Sequence, residues 1–144
     1  MKYRKQSNCV YACEYHLILA TKYRRQIFTK GVGEYLGKRL QEIRQHYPEI
    51  DILEYNHDKD HIHLLISVPP KMSVGSVVRI VKSNSARWLK EKFREYLAKV
   101  YWGTQSIWSD GYFVSTIGRD EAVIKKYIEQ QRLEDEGRTL FVTD

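Results

Sequence analysis

Strand-like and helix-like segments alternate along this chain, and their order limits the folds that it can form. Aromatic and β-branched residues predict four strands, at 9–20, 50–55, 61–68 and 107–117. Apolar residues at helical spacing predict three helices, near 36–47, 73–100 and 120–136. Ser73 is expected to cap the second helix, and Gly111 to form a bulge in the fourth strand. The predicted order is therefore strand–helix–strand–strand–helix–strand–helix.

The first six of these elements match the split βαβ pattern. We predict an α+β fold in which an antiparallel, ferredoxin-like or RRM-like sheet of order βαββαβ carries an additional C-terminal helix. In such a fold, helices cover one face of the sheet and the other face is free to carry a site. The 144 residues fit one domain, because two domains of half that length would each hold a poor core. We expect its core to span residues 9–134 and a tail to span 135–144.

The chain has no apolar segment that would direct it into a membrane or out of the cell. No apolar run approaches the ~20 residues of a membrane-spanning helix. The basic N-terminus is not followed by the apolar region of a signal peptide. Cys9 and Cys13 are too few for a disulfide framework and are expected to be free thiols. These features predict a cytoplasmic protein.

Basic residues are concentrated in two segments that flank an acidic one. The formal charge of +6 divides into +7 for residues 1–45, −4 for 46–70, +6 for 71–99 and −3 for 100–144. Such segments are typical of a surface that binds nucleic acid. A solvated surface that keeps the protein in solution would give the same pattern, so charge alone leaves both interpretations open.

The third predicted strand carries two histidines, in the run His61-Ile62-His63-Leu64-Leu65. Because side chains on a strand alternate between its faces, Ile62 and Leu64 should enter the core. His61 and His63 should then share the opposite face, close enough to bind one cation. A pair of half-exposed histidines without a ligand is the competing interpretation.

Two histidines hold a metal ion weakly, so a third ligand should come from elsewhere in the chain. His57 is near the pair in sequence, and His16 lies on the first predicted strand. Asp58 and Asp60 flank the pair and are candidates to orient the imidazole rings by hydrogen bonds.

The last predicted helix offers a further pair of functional groups. Tyr127 and Gln131 are four residues apart and therefore lie on the same side of a helix. A glutamine oxygen can bind a metal ion, and a tyrosine hydroxyl can act as a nucleophile. The chain has 11 tyrosines, however, so a role for Tyr127 in packing alone is an equally simple interpretation.

Five motifs, in this order along the chain, resemble those of a known family. They are Thr21-Lys22-Tyr23-Arg24-Arg25, His61-Ile62-His63, Ser85-Ala86-Arg87-Trp88-Leu89, Trp108-Ser109-Asp110-Gly111-Tyr112-Phe113-Val114-Ser115-Thr116 and Tyr127-Ile128-Glu129-Gln130-Gln131. The second is similar to the His-hydrophobic-His (HUH) motif, and the last to the tyrosine helix that accompanies it. From about Cys9 to Leu133, the chain resembles the single-tyrosine HUH transposases of the insertion-sequence 200/605 family.

The resemblance implies an enzyme that cuts and rejoins single-stranded DNA at the hairpin-bearing ends of a mobile element. The catalytic tyrosine of the family corresponds to Tyr127, and its third metal ligand to Gln131. Its two metal-binding histidines correspond to His61 and His63, and its metal is Mg²⁺ or Mn²⁺. The resemblance also implies a homodimer in which the histidines of one subunit act with the tyrosine helix of the other. A 5′-phosphotyrosine intermediate would retain the energy of the phosphodiester, so that rejoining would need no ATP.

Binding of single-stranded DNA requires cations along a groove and aromatic faces on which bases stack. The residues that we predict to contact DNA are Lys22, Tyr23, Arg24, Arg25, Lys82 and Arg87. They follow the first strand or lie on the second helix. A polar face that contacts only solvent is the alternative for each of them.

Three other functions are compatible with parts of this pattern. A non-catalytic module that binds single-stranded nucleic acid would use the same fold, but it would need neither the His pair nor the Tyr127–Gln131 pair. A domesticated HUH transposase acting on palindromic repeats of its host genome would have the same residues. A plasmid-type replication or conjugation nuclease is usually larger and often has more than one active tyrosine.

Overall fold

A computed structural model describes residues 3–6, 9–101, 106–116 and 120–137 of the protein. A short hairpin of strands β1 (Arg4–Gln6) and β2 (Cys9–Tyr11) precedes the main sheet. The strands of the main sheet are β3 (Glu14–Ala20), β4 (Asp51–His57), β5 (His61–Ser67) and β6 (Phe113–Ser115). They pair antiparallel throughout, in the spatial order β4-β5-β3-β6.

The helices of the described residues are α1 (Val32–Gln41), α2 (Val74–Lys92), α3 (Arg94–Val100) and α4 (Glu121–Asp135). Short 3-10 turns occur at Lys22–Arg24 and Glu42–Gln45. The main-sheet strands and α1 and α2 follow the order βαββαβ, and α4 comes last, so the predicted α+β, ferredoxin-like fold is confirmed. Within the same residues, no helix combines the length and the apolar character that crossing a membrane would require.

The ends of the helices agree with the capping signals in the sequence. The hydroxyl oxygen of Ser73 accepts a hydrogen bond of 3.1 Å from the Ser76 N–H, as expected of an N-cap. Asp120 caps α4 in the same way through the N–H groups of Ala122 and Val123. The helix predicted at 73–100 is interrupted at Phe93, whose backbone is not helical, and is thereby divided into α2 and α3.

Two predicted strands are shorter in the structure than in the sequence analysis. The strand predicted at 9–20 is interrupted at residues 12 and 13, which separate β2 from β3. The strand predicted at 107–117 contains only the three residues of β6, together with one isolated bridge between Trp108 and Thr21. The predicted bulge at Gly111 is wrong, because this residue precedes β6 and adopts a left-handed backbone with φ of 86°. Residue 117 and most of the predicted tail, from 138 onward, lie outside the described residues.

The sheet has an apolar layer on each face, because alternate residues of β3 and β5 point in opposite directions. On one face, Leu17 and Leu19 pack with Ile62 and Leu64 in the main core, which α1 and α2 cover. On the other face, Ile18 contacts a smaller cluster that contains Ile124 and Ile128 of α4. Helix α4 therefore lies on the face of the sheet that the main helices leave uncovered.

We expect Ile128→Ala to loosen α4 without unfolding the main core. Ile128 is 5% exposed and belongs to the smaller cluster, so its truncation should weaken helix docking by roughly 2–5 kcal/mol. Hydrogen exchange measured by mass spectrometry should accelerate throughout α4 and stay unchanged in α2. Val123→Ala is the matched control, because Val123 is 46% exposed on the same helix. Equal protection of α4 in the two variants would contradict this packing.

Candidate active site

The two histidines of β5 lie side by side on the face of the sheet that α4 covers. Their ring centres are 4.7 Å apart, and both side chains point away from the main core that receives Ile62 and Leu64. His61 is 9% exposed, whereas His63 is partly exposed. Ile18 of β3 is directly opposite His63 in the sheet, so the small α4 cluster begins next to the pair.

A carboxylate orients the more buried of the two histidines. One oxygen of Asp60 lies 2.7 Å from Nδ1 of His61. Because a carboxylate at neutral pH only accepts, this contact favours the tautomer with a proton on Nδ1 and leaves Nε2 as the available ligand atom. Burial alone would raise the pKa of Asp60, but hydrogen bonds from His61 and Arg24 outweigh it and hold the pKa below its usual range. Asp58, the other flanking acid, is exposed and accepts from the Lys59 N–H instead.

Tyr127 extends from α4 into the layer between this helix and the sheet. Its ring centre is 5.8 Å from that of Phe113, which pairs with Ile18 across β3 and β6. The hydroxyl is buried and has no hydrogen-bond partner among the described residues. Burial raises the pKa of Tyr127, and the nearby Glu134 and Asp135 raise it further. The raised pKa favours the protonated form of this hydroxyl.

Gln131 lies one helical turn after Tyr127 and is also directed inward, with 7% of the residue exposed. Its carbonyl oxygen would be 3.5 Å from a Cβ at Gly111, an ordinary van der Waals contact, so the left-handed backbone alone favours a glycine there. Its amide nitrogen is 3.5 Å from a carboxylate oxygen of Glu134. Gln131 is thus buried on the same side of α4 as Ile124 and Ile128.

The side chains on this face offer nitrogen and oxygen atoms that could bind a cation, which His61 and His63 alone would hold weakly. Within the described residues, no group of three His, Cys, Asp or Glu side chains is placed to hold a metal ion. A third ligand from the described residues would therefore be of another kind, and the Gln131 amide oxygen is a donor of that kind. Two imidazoles and one amide form a neutral set, which leaves positions for the oxygens of an anionic substrate.

The structure excludes one of the alternative ligands. His57 pairs with Ile62 across β4 and β5, so its side chain lies on the opposite face from the histidine pair. There it packs against Gly33 of α1, where a Cβ would be 2.3 Å from the imidazole ring, and its Nε2 is 3.4 Å from Glu34. His16 shares the face of the pair, but it is opposite Leu65 rather than His63.

The turn after β3 is tied to α4 by charged groups, which the sequence analysis did not predict. Nε of Arg24 donates to Asp60 at 2.6 Å, and its Nη1 donates to Glu129 of α4. Asp135, whose side chain is 3% exposed, accepts hydrogen bonds from the Tyr23 N–H and the Ser109 hydroxyl, at 3.0 and 2.8 Å.

These contacts change the interpretation of the residues predicted to bind DNA. Lys22 lies 3.5 Å from Asp135, and Arg24 holds two carboxylates. Lys82 donates to the carbonyl oxygens of Ser109 and Gly111, and its burial lowers its pKa despite nearby acids. Arg25 and Arg87 are exposed: the first lies 5.7 Å from the centre of the Tyr23 ring, and the second donates to Asn84.

One signal in the sequence could have identified Asp135. An acidic residue in the last turn of a helix opposes the helix dipole, so it requires compensating donors from another segment. Glu134, Asp135 and Glu136 end α4 in this way, and Asp135 is the one that is buried. The identity of its partners could not be predicted, because they belong to segments 26 and 112 residues away.

Known proteins with similar sequences are transposases. The family model described as "Transposase IS200 like" matches residues 9–131. The transposase for insertion sequence element IS200 of Salmonella typhimurium is 37% identical over 123 residues, which are 85% of this chain and 79% of that protein. The ISDra2 transposase of Deinococcus radiodurans is 32% identical over 133 residues, which are 91% and 92% of the two chains.

Solved structures have the same fold. A crystal structure of a transposase candidate from Deinococcus radiodurans has a TM-score of 0.78 and 32% identity, covering 89% of this chain and 97% of the other. A REP-associated tyrosine transposase bound to a REP hairpin has a TM-score of 0.52 and 13% identity, covering 95% and 73%. The second likeness shows the fold alone.

The fold and these relatives define the class, which is that of the transposases, enzymes that cut DNA. Within that class, the chain belongs to the IS200-like transposases of the insertion-sequence 200/605 family.

We expect Asp135→Ala to destabilise the protein, because it leaves the Tyr23 N–H and the Ser109 hydroxyl without their acceptor. The loss should be about 2–4 kcal/mol in the free energy of unfolding, measured with urea. Glu136→Gln is the matched control: it weakens an exposed pair with Arg132, so its effect should be at most about 1 kcal/mol. Equal effects of the two changes would show that Asp135 does not anchor α4.

Proposed function

We propose that this transposase cuts and rejoins single-stranded DNA through a covalent 5′-phosphotyrosine on Tyr127. The observation that supports this proposal is the position of α4, which brings the half-buried Tyr127 to the same face of the sheet as His61 and His63. A buried tyrosine hydroxyl without a hydrogen-bond partner lowers the stability of the fold. A catalytic role is one explanation for such a group. Attack on a phosphodiester is the reaction that these groups could perform together.

The reaction consists of two transesterifications. In the first, the oxygen of Tyr127 attacks the scissile phosphorus, the bond from phosphorus to the 3′ oxygen breaks, and that oxygen leaves as a 3′-OH. In the second, a 3′-OH attacks the phosphotyrosine, a phosphodiester forms, and the Tyr127 oxygen leaves and is reprotonated. Each step exchanges one ester for another, so no ATP is consumed.

We further propose that His61, His63 and Gln131 hold a divalent cation, Mg²⁺ or Mn²⁺. When bound, such an ion would polarise the phosphate and stabilise negative charge on its nonbridging oxygens. Asp60 would present Nε2 of His61 as a ligand atom, because it accepts from the Nδ1 side. Imidazole ligands favour Mn²⁺ over Mg²⁺ by intrinsic affinity, so we expect the tighter binding for Mn²⁺.

We propose that the substrate is single-stranded DNA with imperfect hairpins. A related fold, that of the REP-associated tyrosine transposase, has been solved with a REP hairpin, which supports this class of ligand. Arg25 and Arg87 are the exposed cations best placed to contact its phosphates, since Lys22, Arg24 and Lys82 bind acidic or carbonyl groups of the protein. A homodimer with shared active sites, as the family resemblance implies, belongs to the same proposal: α4 of the partner subunit would then take the position that α4 of the same chain has here.

A covalent adduct tests the nucleophile. Incubation with single-stranded element ends and Mn²⁺ should give a protein–DNA species that survives a denaturing gel. The adduct should disappear in Tyr127→Phe and persist in Tyr47→Phe, a matched change at an exposed tyrosine. It should also be lost in His63→Ala and persist in His46→Ala, which alters an exposed histidine far along the chain from the pair. An adduct that survives Tyr127→Phe would assign the nucleophile to another residue.

The salt dependence of DNA binding tests the two exposed arginines. Arg25→Gln and Arg87→Gln should each weaken binding of a hairpin substrate and reduce the slope of log affinity against log salt by about 0.7–0.9, because each removes one phosphate contact. Arg44→Gln is the control, since Arg44 is an exposed arginine that lies 3.6 Å from Asp51. Fluorescence anisotropy at several salt concentrations gives both quantities. Unchanged slopes for Arg25→Gln and Arg87→Gln would remove these residues from the DNA-binding surface.

A further inference from the structure

Arg24 connects two parts of the candidate site that are far apart in the sequence. Its Nε donates to Asp60, the carboxylate that also contacts His61. Its Nη1 donates to Glu129, which is two residues after Tyr127 on α4. One guanidinium therefore lies between the residue that orients the metal-ligand histidine and the helix that carries the nucleophile.

The geometry of this contact requires an arginine. A guanidinium presents several donors in a rigid plane, so two carboxylates can be held at once by different nitrogens. Glu129 is held from its other oxygen by Arg132, one turn further along α4. Asp60 uses one oxygen for Arg24 and the other for His61, so neither carboxylate can move without breaking a contact. A lysine would present a single nitrogen to the same two acids.

The backbone around Arg24 is strained, and it is maintained by one local contact and one long-range contact. Tyr23 and Arg24 both adopt left-handed conformations, with φ of 57° and 56°. Such a conformation costs roughly 1–2 kcal/mol for each residue that is not glycine. The Tyr23 N–H binds Asp135, and the Arg24 N–H binds the Thr21 carbonyl, at 3.0 Å in each case. The turn is therefore shaped by its contacts with α4 and the end of β3.

We propose that Arg24 is a positioning residue, which couples the orientation of His61 to the docking of the tyrosine helix α4. This inference rests on the proposed function, because it takes His61 as a metal ligand and Tyr127 as the nucleophile. Metal binding at the histidines and docking of α4 then stabilise each other, since a coupling between two sites is reciprocal. Glu129 accordingly affects metal affinity through Arg24, which donates to one of its oxygens.

Two other roles for Arg24 give different results. If Arg24 only contacts DNA phosphates, its removal will weaken DNA binding and leave metal affinity in the absence of DNA unchanged. If Arg24 only stabilises the fold, its removal will lower the melting temperature, but His61 in the folded protein will keep its tautomer. The coupling predicts a change of metal affinity and of tautomer in protein that is still folded.

The test is a calorimetric titration of Mn²⁺ into protein without DNA. Arg24→Ala should weaken Mn²⁺ binding about 10-fold, the lower end of the loss expected when a residue that supports a metal ligand is removed. Glu129→Gln should weaken it severalfold, and the double variant should be no weaker than Arg24→Ala, because both changes break the same bridge. Arg24→Lys should recover only part of the affinity. Arg25→Ala removes the same charge from the same turn and should stay within about twofold of the wild type.

A second measurement reads the same coupling without metal. Nitrogen-15 NMR of the imidazoles, at one fixed pH, should show His61 with its proton on Nδ1 in the wild type. Arg24→Ala and Glu129→Gln should mix the two tautomers, and Arg25→Ala should not. Wild-type levels of Mn²⁺ affinity and an unchanged tautomer in Arg24→Ala would overturn the coupling. If the wild type binds no Mn²⁺ and forms no adduct, the proposed function fails, and the NMR comparison still decides whether Arg24 positions His61.

Discussion

The strict alternation of side chains along β5 is the constraint on which the rest of the structure depends. This strand pairs with both β3 and β4, so its apolar residues Ile62, Leu64 and Ile66 are buried against α1 and α2. Their burial fixes His61 and His63 on the opposite face of the sheet, because shifting the register of β5 by one residue would place both histidines in the main core. The candidate site is thus a consequence of how the core is packed.

A helix on the second face completes the site, and it is held there by two kinds of interaction. The apolar contact is small, with Ile18, Ile124 and Ile128 as its buried members. Polar contacts at Asp135 and Glu129 fix the position of α4 on the sheet. Hydrogen bonds and ion pairs require particular partners, whereas apolar contact does not. A small apolar cluster with a specific polar anchor suits a helix whose position, rather than whose stability, matters for the proposed reaction.

Short-range patterns decide the features that the sequence predicts correctly, and distant contacts decide those that it does not. The N-cap at Ser73, the start of α4 at Asp120 and the face of the histidine pair all follow from residues within a few positions of each other. The strand predicted at 107–117 is shorter than expected because its first half, which pairs with the end of β3 at only one bridge, also binds α2. Lys82 holds the carbonyls of Ser109 and Gly111, and the indole of Trp108 donates to Ser85.

By itself, the sequence determined the order of the elements, the common face of His61 and His63, and the common side of Tyr127 and Gln131. Each of these follows from the period of a strand or of a helix, which is a local property of the backbone. Only the tertiary structure decided that α4 covers the histidine face, that His57 lies on the other one, and that Arg24 binds protein carboxylates. The physical reason is that the two ends of the Arg24–Glu129 pair are 105 residues apart, and no periodic pattern relates residues at that distance.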